Sequence, residues 1–251
     1  MSNSPFNYQM ILAYDGTPFG GWQIQPNAIT IQQILQETLS TILRHPTHVT
    51  GAGRTDAGVH ALGQSAHFQS PEHLNLFKIL RSLNGMLPPE IRVLQINPVP
   101  DDFHARYAAK GKIYRYHLNL GPFNDPFTRN FAWYVPGRLN FEALQQAAAY
   151  FVGKHDFRSF ANVASHDHEE RDTVRTIFRL DVIYTERGLF FEFEGDGFLY
   201  KMVRNIVGCL VEVAIGKYLP TQIPKMLEAH DRRAGGRAAP PQGLFLVKVN
   251  Y

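Results

Sequence analysis

The chain has a single cysteine, Cys209, in 251 residues, which excludes an intrachain disulfide and any zinc site built from several cysteines. So few thiols suit a reducing compartment, and the cytosol is expected. No run of about 18 apolar residues occurs, so no membrane-spanning helix is expected. The opening Met1-Ser2-Asn3-Ser4-Pro5 has neither a basic stretch nor an apolar core and does not read as a secretory signal. A strong charge of either sign is also missing: 25 Lys and Arg against 22 Asp and Glu leave +3. This mild excess suits a phosphate-rich partner but equally suits many enzymes. Hydrophobic residues at 44% and charged ones at 19% mark a globular chain rather than a disordered one. A fold of this length buries roughly 70–75% of its extended surface, enough to stand without disulfides or metal.

The hydrophobic pattern alternates between the two regular periods. Tyr8, Met10, Leu12 and Tyr14 recur every second residue, as one face of a strand. Ile31, Ile34, Leu35, Leu39, Ile42 and Leu43 recur at helical spacing behind Thr30, a suitable N-cap. A short extended stretch near Val49 leads into glycine-rich 51–58, and 64–69 reads as extended. Leu74, Phe77, Leu80 and Leu83 predict a second helix, stopped by Asn84-Gly85 and Pro88-Pro89. Ile91, Val93 and Gln95 then begin another strand.

The same order then recurs. Residues 113–120 are strand-like and 141–152 predict an amphipathic helix. Val174, Thr176, Phe178, Leu180, Val182 and Tyr184 predict one face of a strand, turning at Glu186-Arg187-Gly188 into 191–194. Residues 202–215 predict a buried helix, and 244–249 a closing strand. Each half therefore reads βαββαβ, a ferredoxin-like unit, and the fold class is α+β. The boundary is expected in 98–109, giving an N-terminal lobe of 1–107 and a C-terminal lobe of 108–251. The stretch 230–242, with Arg232, Arg233 and Arg237 among Gly and Pro, predicts a mobile basic loop.

The segment Gly51-Ala52-Gly53-Arg54-Thr55-Asp56-Ala57-Gly58-Val59-His60-Ala61 is the most informative. Small residues flank one Arg and one Asp, so another molecule can approach the backbone closely. If the segment is extended, Arg54 and Asp56 share a face, and the guanidinium favours an ionised, nucleophilic carboxylate. An ordinary turn with a surface Arg–Asp pair is the alternative. A phosphate loop is a weaker alternative, because Gly-x-x-x-x-Gly-Lys-[Ser/Thr] is absent. Asp56, His60 and His67 are near enough in sequence to suggest a metal, but their spacing matches no metal motif, and none is expected.

Other segments carry weaker signals. Tyr14-Asp15-Gly16 with Gly21-Trp22-Gln23 forms a turn-rich loop displaying aromatics. Phe103-His104-Ala105-Arg106, followed by Lys110, Lys112, Tyr114, Arg115 and Tyr116, interleaves cations with aromatics. That pattern suits phosphate contact and base stacking. Arg204 sits among Phe198, Met202, Val203, Ile206 and Val207, where a buried guanidinium needs an anionic partner. Cys209 reads as a small core side chain.

Together these segments resemble the TruA family of tRNA pseudouridine synthases, almost end to end. The Tyr-Asp-Gly…Gly-Trp-Gln loop, Gly-Arg-Thr-Asp-Ala-Gly-Val-His, Phe-His-Ala-Arg and Tyr114-Arg115-Tyr116 follow the family's order. So do His155-Asp156-Phe157…Phe160, Phe198-Leu199-Tyr200-Lys201-Met202-Val203-Arg204-Asn205 and Ala239-Pro240-Pro241-Gln242-Gly243-Leu244. The stretch 161–173, with His166, Asp167, His168, Glu169 and Glu170, resembles no strong family motif. The resemblance implies two ferredoxin-like halves sharing one extended, mainly antiparallel sheet with a central cleft. It implies cofactor-free isomerisation of uridine to pseudouridine at positions 38, 39 and 40 of the tRNA anticodon arm, by a homodimer. Asp56 takes the nucleophile's role, attacking C1′ of the sugar or C6 of the base, between which the sequence does not choose. Arg54 displaces the base from its stack, Arg204 pairs with the carboxylate, and Tyr114 packs on the flipped ring and helps remove the C5 proton. Arg106, Lys112, Arg115 and Leu244 are further substrate-contact candidates. A non-catalytic RNA-binding or RNA-folding protein would share the lobes and charge but would not need Asp56.

Overall fold

The computed structural model describes residues 5–162 and 172–251, which divide into two units. The stretch with His166 to Glu170 lies outside the described residues. The first unit holds residues 1–110 and 245–251, the second 111–244.

The first unit runs β1 (Phe6–Tyr14), α1 (Ile31–Leu43), β2 (Thr50–Gly51), β3 (His60–Ser70), α2 (Leu76–Met86) and β4 (Ile91–Val99), the expected βαββαβ order. β1 pairs antiparallel with both β3 and β4, and β2 pairs with β3. Tyr8, Met10, Leu12 and Tyr14 are all buried, as period two requires. Thr30 caps α1, its side chain accepting from the Gln33 N–H.

Two expectations fail here. α2 runs through Asn84-Gly85 to Met86, because the Asn84 side chain does not stop the helix but clamps β4. It donates to the Val93 carbonyl at 2.8 Å and accepts from the Val93 N–H at 2.9 Å. Phe77, placed on the core face by its spacing, is exposed. In β4 the inward phase passes from Val93 to Ile96. The register against β1 shifts between Ile11 and Leu12, leaving Leu94 as an extra, exposed residue.

The second unit runs β5 (Gly111–Asn119), β6 (Trp133–Tyr134), α3 (Phe141–Ala149), β7 (Gly153–Asp156), β8 (Val174–Thr185), β9 (Gly188–Gly195), α4 (Met202–Ala214) and α5 (Ile223–Glu228). Its sheet has the order β5-β9-β8-β7, all antiparallel, with β6 parallel to β5. A bulge again breaks period two. The β8 register shifts between Ile177 and Arg179, so Ile177 and Leu180 point inward and Phe178, expected inside, is 55% exposed. Every residue of α4 is buried except Arg204.

The last strand, β10 (Leu244–Asn250), enters the first unit, where Phe245 and Leu246 pair parallel with His60 and Ala61 of β3. The end of the chain thus belongs with residues 1–110 rather than wholly with the second half. Among the described residues no helix is long and apolar enough to cross a membrane.

Candidate active site

In the first unit the chain between β2 and β3 is irregular rather than extended, and it is fixed from behind. The Ala52 N–H donates to Ser65 O at 2.7 Å, and the Trp22 N–H to Thr55 O at 3.0 Å. The Val59 N–H closes a turn onto Asp56 O at 3.1 Å, with Gly58 at φ 75. Burial alternates along Arg54, Thr55 and Asp56 as exposed, buried and half-buried. The buried Thr55 hydroxyl lies 2.9 Å from the Tyr14 hydroxyl. Gln64 Nε2 reaches both Tyr14 Oη, at 3.4 Å, and Gly53 O, at 2.9 Å. Burial pushes the Tyr14 pKa far up, against the hydrogen bonds from Thr55 and Gln64, so the phenol stays neutral. The bonds among Tyr14, Thr55 and Gln64 are therefore uncharged.

The turn-rich loop at 14–23 is the wall behind this segment. A Cβ on Gly21 (φ +94) would lie 2.7 Å from Thr55 O and 3.0 Å from Asp56 C. One on Gly16 would lie 2.0 Å from Val59 O. Only glycine lets these two backbones touch, and this contact accounts for the glycines of the Tyr-Asp-Gly…Gly-Trp pattern.

Arg54 is exposed, and no ion pair joins it to Asp56 among the described residues. His60 is buried and stacks on Phe245 at 4.6 Å. Its Nδ1 lies 3.0 Å from the Gly16 N–H and 3.2 Å from Asp15 Oδ1. The amide can only donate, so Nδ1 accepts from it, and the Asp15 approach is not a proton-sharing bond. His67 Nδ1 accepts from the Ala105 N–H at 3.2 Å. Burial and the neighbouring His104 hold the His67 pKa down, keeping it neutral. Both histidines thus have structural work, and no cluster of metal-ligating side chains forms among the described residues.

In the second unit, β5 sorts the remaining candidates by face. Tyr114 and Tyr116 point inward opposite Phe193 and Phe191, with the Tyr114 ring edge-on to Phe198 at 5.1 Å. Tyr116 donates to Pro240 O at 2.7 Å, and a Cβ on Gly243, just before the buried Leu244, would lie 2.6 Å from its ring. Lys112 shares the phase of Tyr114. Arg115 points to the other face, so a strand cannot present it beside Tyr114. Its Nε donates to Glu192 Oε2 at 2.5 Å, and Arg179 Nη2 donates to Glu192 Oε1 at 2.7 Å. Arg106, in the first unit, is exposed, with its guanidinium 5.9 Å from the Tyr107 ring centre.

Arg204 stands in the first turn of α4, with its Nε donating to Ala239 O at 2.8 Å. The stretch expected to be a mobile basic loop is tied down here. Arg232 is partly buried and bonded to Asn205 and Gly236, while Arg233 is exposed and chelated by Asp231. Sequence reasoning missed Gln64, Thr55 and Asn205. Gln64 carried a signal, since it interrupts an otherwise apolar inward phase with Ala66 and Phe68.

A family model described as tRNA pseudouridine synthase matches residues 10–108 and 147–251. The chain is 49% identical to tRNA pseudouridine synthase A 1 of Protochlamydia amoebophila, over 97% of this chain and 96% of that one. It is 46% identical to tRNA pseudouridine synthase A of Exiguobacterium sp., over 97% of both chains. Among solved structures it aligns with a Cbf5–Nop10–Gar1 complex at TM-score 0.41 and 12% identity, over 81% of this chain and 45% of that one. The class is that of RNA-modifying isomerases. The chain belongs to the tRNA pseudouridine synthase family, and its reaction is pseudouridylation of tRNA.

Proposed function

We propose that the chain converts uridine to pseudouridine at positions 38, 39 and 40 of the tRNA anticodon stem-loop, with Asp56 as nucleophile and the target base flipped out. The observation that carries this reading is the Asp56 loop, a half-buried carboxylate on a backbone held by neutral hydrogen bonds and two glycine contacts. Such a loop fixes a nucleophile without itself reacting.

In the reaction the N1–C1′ bond breaks, the base turns, and a C5–C1′ bond forms. One proton leaves C5 and one is gained at N1, so atoms balance with no redox partner and no ATP. Asp56 begins the exchange by attack at C1′ or at C6. Arg54, an exposed cation two residues before it, suits the displacement of a base. Arg204 pairs with the Asp56 carboxylate in this reading. Tyr114 offers its ring to the flipped base and assists removal of the C5 proton. Extrusion costs on the order of a few kcal/mol, which stacking of about 1–3 kcal/mol per base offsets. In this reading the enzyme works as a homodimer, which rests on the family resemblance, and in the cytoplasm, which rests on its single cysteine.

Incubating purified protein with unmodified tRNA and mapping pseudouridine by carbodiimide-dependent reverse-transcription stops tests the proposal. Stops one nucleotide 3′ of positions 38, 39 and 40 are expected, and pseudouridine mapped elsewhere in the tRNA would overturn the assigned positions.

A further inference from the structure

Arg204 is the one incompletely buried residue of α4, and its aim is set from outside the helix. The Ala239 N–H donates to Arg204 O at 2.9 Å, and Arg204 Nε donates back to Ala239 O at 2.8 Å. With Nε committed to that carbonyl, the direction of the remaining guanidinium nitrogens depends on where residue 239 sits. Whatever holds that loop therefore helps to aim the guanidinium.

The loop is held by an arginine. Arg232 Nη1 donates to Gly236 O at 2.7 Å, Nη2 to Asn205 Oδ1 at 2.8 Å, and Nε to Asn162 Oδ1 at 3.3 Å. Asn205, next to Arg204 in α4, is wholly buried. Its Nδ2 donates to Phe160 O at 2.8 Å and to Asn162 Oδ1 at 3.0 Å. One planar fork thus ties the loop, the helix and the 160–162 segment together. A lysine could not reproduce this, because its single ammonium has no fixed fork. Burial pulls the Arg232 pKa below its ordinary value, and the three oxygens it meets are neutral amides. A surface cation would not be held this way, since an arginine without a bonded carboxylate loses hydration by being buried. The loop backbone also lies directly on the helix. A Cβ on Gly208 would stand 1.9 Å from Arg237 O, and buried Glu212 accepts from the Arg237 N–H at 3.3 Å.

We propose that Arg232 is a positioning residue, which fixes residues 236–239 through its bonds to Asn205 and Gly236 and so aims the Arg204 guanidinium. The proposal rests on the role given to Arg204 above. It concerns turnover rather than affinity, because the fork of Arg232 is spent on the protein itself.

The test is a cycle of Arg232→Lys, Arg204→Lys and the double variant, read as single-turnover rate per folded protein and as tRNA Kd. Arg232→Lys should slow turnover about 10- to 100-fold, the scale of an ångström-sized misplacement, with Kd within about twofold. The double variant should be no slower than Arg204→Lys alone, because aiming an absent guanidinium has no effect. An unchanged rate in Arg232→Lys, a loss confined to Kd, or full additivity would overturn the positioning role. Full turnover by Arg204→Lys would instead overturn the role of Arg204, a distinguishable failure. Should Arg232→Lys fail to fold, Gly236→Ala strains the same loop with the arginine kept, since residue 236 stands at φ +72, where an L side chain is strained whatever the space around it. A similar slowing is expected there, and an unchanged rate would overturn the proposal.

Discussion

Placing the same methyl group at two glycines separates support of the Asp56 loop from general sensitivity to substitution. At Gly21 the backbone is at φ +94, and an added Cβ would lie 2.7 Å from Thr55 O, 3.0 Å from Ala57 N and 3.0 Å from Asp56 C. All three are backbone atoms, which no rotamer change relieves. The left-handed conformation costs an L-residue about 1–2 kcal/mol, and forcing a methyl into a closed contact about 1–3 kcal/mol more. Gly21→Ala should therefore lose about 2–5 kcal/mol, within the roughly 5–15 kcal/mol of a typical domain, so most molecules stay folded. The strain falls on the residue bearing the nucleophile, and an ångström of displacement there lowers kcat by about 100-fold. Gly85, in the last turn of α2, has nothing within 4 Å of an added Cβ. Gly85→Ala should be neutral or more stable by up to about 1 kcal/mol, with kcat unchanged. The assay is denaturant unfolding beside pseudouridine formation at saturating tRNA. Equal stabilities and equal rates in the two variants would refute the view that close glycine contact holds the loop.

Three further outcomes are expected. Burial would raise the Glu192 pKa, but hydrogen bonds from Arg115 and Arg179 outweigh it and hold the carboxyl below its ordinary 4.5. A depressed folded value stabilises above the ordinary pKa and is lost as pH falls through the folded one. Wild type should thus lose stability steadily from about pH 4.5 downward, and Glu192→Gln should flatten that limb in acid unfolding curves; an equally steep limb would contradict the pairing. The affinity for tRNA should fall steeply with salt, and Arg106→Gln should reduce the log–log slope by about 1 if Arg106 meets a phosphate. Sedimentation at working concentration should give about twice the chain mass, and a fully active monomer would reject the homodimer.

Much of this fold could be read from periodicity, because most strands bury one face and most helices one stripe. The places where the pattern misled share a cause. At Leu94 and Phe178 a bulge inserts one residue and inverts the phase of the rest of the strand, and nothing in the local sequence marks it. Asn84 looks like a helix stop, yet its side chain spends both hydrogen-bonding ends on Val93, a tertiary bond invisible to local rules. Arg232 shows the same blindness at the candidate site. Among Gly and Pro it reads as surface charge, while the fold turns its fork inward onto Asn205. Asp56 stood out because its surroundings are local and small. The hydroxyl and amide behind it, Tyr14 and Gln64, lie 50 residues apart, and only pairing of β1 with β3 brings them together.

The claim that Asp56 is the nucleophile is tested most directly by Asp56→Asn. The amide keeps the shape of the side chain but removes its negative charge and nearly all its nucleophilicity. Tritium release from C5-labelled uridine in tRNA reports C5–C1′ bond formation, because that proton must leave. The variant should release no label while binding tRNA at least as tightly as wild type, since a negative charge facing phosphates is gone. Substantial label release by the variant, or a loss of binding equal to the loss of turnover, would contradict the assignment.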